Sequence, residues 1–185
     1  MTLSNYSGLS ILVFAFIACE VFAKDNAIQK PLTATAALSN SSGEQIGNAT
    51  LVETLEGVTI SLRASNLPPG KHGLHFHETG ICTLPDFKTA GEHFNPKRKE
   101  HGMKNPKGPH AGDLPDIEVK DDGTVLTEIK TKSVTLKKGR NSLLKRGETA
   151  LVIHAKSDDQ LTDPSGDSGD RIACGVVEGK NSIFS

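Results

Sequence analysis

Through most of this chain, apolar and polar residues alternate in short runs that end at turn residues, a pattern that few folds accept. In GVTISLRA (57–64), Val58, Ile60 and Leu62 fall on one side and Thr59, Ser61 and Arg63 on the other, the two-residue period of a half-buried strand. Runs rich in β-branched residues recur at 33–39, 45–54, 71–77, 116–120, 124–132, 149–154 and 172–178. Turn signals separate them: Ser41-Ser42-Gly43, Leu55-Glu56-Gly57, Pro68-Pro69-Gly70 and Asp121-Asp122-Gly123. No long helical period competes. The pattern predicts an all-β domain, an eight-stranded Greek-key β-barrel or sandwich. Residues 78–115 and 155–171 break the spacing; they are long, polar and rich in Gly and Pro, as functional loops are.

The N-terminus reads differently. Residues 9–18, LSILVFAFIA, form an uncharged apolar run of secretory length, followed by Val21-Phe22-Ala23, a small-x-small cleavage site. Residues 1–23 are therefore expected to be a signal peptide, or a lipoprotein signal that ends before Cys19 and leaves an acylated thiol. Residues 24–32 read as a flexible tail, and 33–185 as a single domain. Either reading exports the protein to a periplasmic, secreted or envelope-associated location, with membrane attachment only if Cys19 is lipidated. Cleavage after Ala23 removes Glu20 and no base, so 21 Lys and Arg would balance 21 Asp and Glu. A neutral chain lacks the overall basic excess on which nucleic-acid or membrane-surface binding rests. In an oxidising compartment Cys82 and Cys174 are the natural disulfide pair, two free buried thiols being the alternative.

All seven histidines lie between 72 and 154. In HGLHFHETGIC (72–82), His75 and His77 stand two apart on one strand face with Phe76 behind them. His93, His101 and His110 follow in the first long loop, with Asp113 three residues after the last. Three imidazoles and a carboxylate suit tetrahedral Zn²⁺. His154, at the end of the run before the second loop, would complete a four-imidazole set with His75, His77 and one loop histidine, which suits Cu²⁺. Seven side chains then fill eight coordination positions, most economically if one histidine uses both ring nitrogens.

The stretches GKHGLHFHETGIC, AGEHFNP, GPHAGDLP, LVIHAKSDD and GDRIACGVV, in that order, resemble the successive motifs of the exported, bacterial-type Cu,Zn superoxide dismutases. The resemblance runs from about residue 33 to 178. It implies one copper per chain on His75, His77, His93 and His154, and one zinc on His93, His101, His110 and Asp113, with His93 as the bridge. It further implies an intrasubunit disulfide between Cys82 and Cys174, Arg171 as the active-site arginine, Asp158 as the carboxylate joining a copper ligand to a zinc ligand, and His72 as a structural histidine. The implied reaction converts superoxide to oxygen and hydrogen peroxide, through copper cycling between Cu(II) and Cu(I), in a monomer or homodimer. His93 would carry a proton, and Arg171 would orient the anion. Asp158, Asp159, Asp163, Asp167 and Asp170 in the second loop set an acidic group beside a site for an anion. The runs 97–99 and 137–140 read as solvated basic faces.

Overall fold

A computed structural model describes residue 1 and residues 31–180. The apolar run, its cleavage motif and Cys19 lie outside the described residues. Among the described residues ten strands form: β1 (Thr33–Asn40), β2 (Gln45–Thr54), β3 (Gly57–Ala64), β4 (Gly70–His72), β5 (Leu74–His77), β6 (Ile117–Val119), β7 (Val125–Thr131), β8 (Ala150–His154), β9 (Arg171–Val176) and β10 (Glu178–Gly179). Among the described residues the one helical element is a 3-10 turn at Lys88–Ala90. Among the described residues no helix is long and apolar enough to cross a membrane.

The main sheet runs β5-β8-β9-β1-β2-β3-β7, with β10 also paired to β1, and β4 pairs with β6 in a second, two-stranded sheet. Every pairing between these strands is antiparallel. The path closes through the chain itself, because β7 follows β6 across the tight turn at 120–124 and β4 leads through Gly73 into β5. This is the expected all-β barrel. Alternation accounts for its interior: Val58, Ile60 and Leu62 are fully buried, and Leu38, Leu51, Leu74, Phe76, Leu151 and Ile153 join them in one core.

Two expected runs are broken. The run 71–77 is not one strand: the Gly73 N–H donates to Lys156 O and Gly73 O accepts from the His154 N–H, so the chain leaves one sheet and enters the other at that residue. The run at 172–178 starts at Arg171 and is interrupted at Val177, whose N–H donates to Thr149 O. A third long connection, 132–149, separates β7 from β8 and buries Val134, Leu136 and Leu143.

Candidate metal centre

Strand alternation builds the first half of the site. On β5, Leu74 and Phe76 face the barrel core, so His75 and His77 face outward beneath the loops. β8 lies beside it with His75 opposite Val152 and His77 opposite Ala150. His154, two residues beyond Val152, shares that outer face, and Arg171 is its cross-strand partner on β9. The first loop is laid along the free side of β5: the Phe76 N–H donates to Gly112 O, and Phe76 O accepts from the Phe94 N–H. A Cβ on Gly112 would overlap Phe76 O, so only glycine permits this approach. The contact sets His93 opposite His77 and Asp113 opposite His75.

Two groups of four buried donors result, each with its donor atoms within 4.8 Å of one another: His75, His77, His93 and His154, and His75, His93, His101 and Asp113. In the first group the outer nitrogens are engaged. His75 Nε2 meets Asp158 Oδ2 at 2.7 Å, His77 Nδ1 meets Gly91 O at 2.9 Å, and His154 Nδ1 meets Gly169 O at 3.1 Å. The remaining nitrogens turn inward, with His77 Nε2 and His154 Nε2 3.3 Å apart. His75 Nδ1 and His93 Nε2 are buried without a partner among the described residues, an expensive arrangement unless a cation takes their lone pairs.

His75 falls within range of the second group only by proximity, since its two nitrogens belong to Asp158 and to the first group. His110 is the better fourth member. Asp113 Oδ1 lies 3.0 Å from His93 Nδ1, 3.1 Å from His101 Nδ1 and 3.3 Å from His110 Nδ1, and His110 Nδ1 is 3.5 Å from His93 Nδ1. Bonds of about 2.0 Å to a tetrahedral ion require donor–donor edges of about 3.3 Å, so this donor set fits Zn²⁺. The four-imidazole set fits copper by ligand type.

Asp158 spans the two groups, its Oδ2 on His75 and its Oδ1 3.0 Å from His101 Nε2. Gly166, at φ +63°, passes directly over this carboxylate, and a Cβ there would overlap Asp158 Oδ1. His72 is no ligand: both its nitrogens are taken, by His154 O and Pro68 O, each at 2.8 Å. The disulfide joins Cys82 to Cys174. Arg171 makes no ion pair with Asp170 among the described residues; it donates to Phe87 O at 2.8 Å and Gly91 O at 2.7 Å, beside a cleft lined by Asp86, Lys88, Glu92, Gly169 and Asp170.

Two further residues carry supporting roles that the sequence did not single out. Asp116 accepts from the Asp158 N–H at 3.0 Å, and Asp163, read only as part of an acidic set, accepts from the His101 N–H at 2.6 Å. Asp159 likewise turns back on its own loop, accepting from the N–H groups of Leu161 and Thr162. Only the Ser-Asp-Asp and Asp-Pro turn chemistry hinted at such uses.

Electrostatics favour bound cations. Burial would raise the Asp113 carboxyl, but hydrogen bonds from His101, His110 and His93 outweigh it and hold the group well below the usual carboxylate range. Burial likewise opposes ionisation of Asp158, and its contacts with His101 and His75 reverse the balance. Burial lowers His75, His93 and His154 to about 4, and His77 falls well below its ordinary value for the same reason. His101 goes the other way: burial opposes its charge, yet Asp113 and Asp158 on its two nitrogens raise it to about 9.

These directions set a pH dependence for chelator-stripped protein. Between 6.5 and 4 the unfolded chain protonates these imidazoles and the folded chain does not, so stability falls as pH falls. The raised His101 contributes stability present below 6.5 and lost as pH rises toward 9. Melting temperatures across that range are expected to peak near pH 6.5; a monotonic profile would contradict the opposed shifts.

A curled antiparallel β-barrel that brings two adjacent groups of buried histidine and aspartate donors together defines a protein able to hold two metal ions side by side. The chain belongs to the Cu/Zn superoxide dismutase family. The family described as copper/zinc superoxide dismutase (SODC) matches residues 45–177. The chain is 53% identical over 153 residues to Cu-Zn superoxide dismutase 1 of Aquifex aeolicus, covering 82% of this chain and 90% of that one. It is 41% identical over 149 residues to the Cu-Zn superoxide dismutase of Caulobacter vibrioides, 79% of this chain and 86% of the other. Among solved structures it resembles a SOD-like protein from Bacillus subtilis (TM-score 0.75, 43% identity, 77% of this chain and 96% of that one). It also resembles the Cu/Zn superoxide dismutase of Brucella abortus (TM-score 0.66, 27% identity, 79% and 99%). Its reaction is the dismutation of superoxide to oxygen and hydrogen peroxide, with copper and zinc as cofactors.

Proposed function

We propose that His75, His77, His93 and His154 hold one copper, that His93, His101, His110 and Asp113 hold one zinc, and that His93 bridges the two. The observation that carries this reading is the His93 ring, whose Nδ1 sits against Asp113 while its buried Nε2 has no protein partner. Copper supplies the one-electron exchange that both half-reactions need. The chain's own groups do the rest. Arg171, fixed by the Phe87 and Gly91 carbonyls, keeps further N–H groups for the cleft and binds the superoxide anion there. Burial lowers its pKa, yet a guanidinium stays charged at any working pH.

His93 Nε2 is the atom that takes up and hands over a proton while Nδ1 stays engaged on the Asp113 side, and the second proton of peroxide comes through the open cleft. Asp158 fixes which nitrogen of His75 and of His101 faces inward. Metal analysis paired with a dismutation assay tests the assignment. In Arg171→Ala, the rate is expected to fall roughly ten- to hundredfold with copper content retained, the loss of a charge-assisted hydrogen bond. Unchanged kinetics would return Arg171 to a purely structural role.

We also propose that the domain at 33–185 works outside the cytoplasm, delivered by the signal at 1–23 or held through Cys19, with 24–32 as its tail. A structural disulfide fits such a compartment. All proposed ligands come from one chain, so catalysis asks nothing of a second subunit, in a monomer or a homodimer. Fractionation of cells, with acylation tested by Cys19→Ser, checks both points.

A further inference from the structure

Two basic runs that lie forty residues apart in sequence meet on one face. Arg140 Nε donates to Pro96 O at 2.9 Å, which holds Lys137-Lys138-Gly139-Arg140 beside Lys97-Arg98-Lys99. Lys97 and Lys99 also line a shallow pocket with His110, Ser133 and Asn141, the last adjoining the second run, and Lys99 Nζ donates to Gly108 O at 3.0 Å. Carboxylates beside these runs are already engaged. Glu100 is engaged by Lys107 at 3.0 Å, and Glu53 is turned inward, its side chain 10% exposed and 3.7 Å from Lys137 Nζ. Among the described residues no carboxylate pairs with Lys97, Arg98 or Lys138, and all three are exposed. The face is therefore strongly cationic on a chain whose positive and negative residues nearly cancel.

The same face receives the N-terminal tail. The Glu53 N–H donates to Leu32 O at 2.9 Å, and the Glu53 carboxylate accepts from Thr135 Oγ1 at 2.9 Å and the Leu136 N–H at 2.6 Å. Leu32 thus enters the barrel next to Lys137. The thirteen residue steps from Cys19 to Leu32 reach at most roughly 45 Å when extended, so a chain held at Cys19 would keep the domain, and with it this face, within that distance of its anchor. A single acyl chain gives only marginal membrane binding, and a polybasic patch is the usual second signal.

We infer that the face formed by Lys97, Arg98, Lys99, Lys137, Lys138 and Arg140 docks on anionic phospholipid headgroups, orienting the dismutase domain on a membrane surface. The inference rests on the export reading, and it goes beyond it by naming the surface and the lipid chemistry. The attraction is electrostatic and screened by salt.

The test uses purified mature protein without an acyl chain, sedimented with vesicles of phosphatidylcholine alone or of phosphatidylcholine mixed with phosphatidylglycerol. Binding is expected to the anionic vesicles only and to be lost in high salt. Lys97→Glu with Lys138→Glu is expected to weaken it at least about tenfold. Lys71→Glu with Lys120→Glu, the same charge change on exposed β4 and β6-side positions, is expected to leave most of it intact. Dismutation by all variants is expected to match the parent, which shows that they fold. No binding at low salt, equal losses in the two double variants, or binding to soluble polyphosphate without vesicle binding would each overturn the docking surface. Because purified protein is added from outside, such failures leave export and dismutation standing, and fractionation of cells tests export separately.

Discussion

Replacing His93 with alanine is expected to abolish dismutation and to loosen both metals together. One ring supplies a donor to each set, through Nδ1 on the Asp113 side and Nε2 on the side of His75, His77 and His154. Its loss leaves three donors at each position and leaves Asp113 buried with one imidazole fewer against its charge. Supporting residues that only orient a ligand already change affinity ten- to a hundredfold, so removing a shared ligand should exceed about a hundredfold at both sites. Metal content after dialysis against a chelator, with the dismutation rate on the same samples, reads the effect. A variant that loses copper but keeps zinc at full affinity would show that the ring serves one ion only.

Removal of the disulfide, by Cys82→Ser with Cys174→Ser, is expected to cost the next largest amount. The bridge closes a loop with a sequence separation of 92, which the chain-entropy account puts between about 4 and 5 kcal/mol. For a domain of this size that is a fall in melting temperature of roughly 10 to 20 °C. Activity should suffer beyond stability. Cys82 tethers the segment that carries Phe87 and Ala90 into a small core with Ala150, Val152 and Cys174, and Phe87 O and Gly91 O hold Arg171. Without the tether the arginine loses its fixed carbonyls, so the variant should show a lower rate even at temperatures where it remains folded. Melting curves and rates measured well below the transition separate the two effects, and an unchanged rate would show that Phe87 alone seats the segment.

The strands of this protein were legible because their alternation is one-sided. Val58, Ile60 and Leu62 must be buried and Arg63 must not, and no helix satisfies both. The break at Gly73 was hidden because HGLHFH keeps its apolar and imidazole character straight through the point where the chain changes sheets. Its cause is non-local, a pair of backbone hydrogen bonds to Lys156 and His154. The candidate donors were legible as residue types, and the two-residue period of β5 fixed the facing of His75 and His77. What alternation cannot give is the return of a loop. That His93 and Asp113 come opposite His77 and His75 depends on Gly112 lying flat against Phe76, and the supporting contacts of Asp116 and Asp163 depend on where the second loop falls over the first.

The loop laid along β5 also has a protective consequence. Phe76 offers an N–H and a carbonyl outward, both taken by the chain's own Gly112 and Phe94, so a bare ladder at the rim of the main sheet is capped from within. A rim of that kind, once uncovered, is a template for another molecule's strand. Ions bound as proposed at His93 and Asp113 would help keep that cover in place, so stripping them is expected to increase self-association, read by size-exclusion chromatography of chelator-treated against metal-loaded protein.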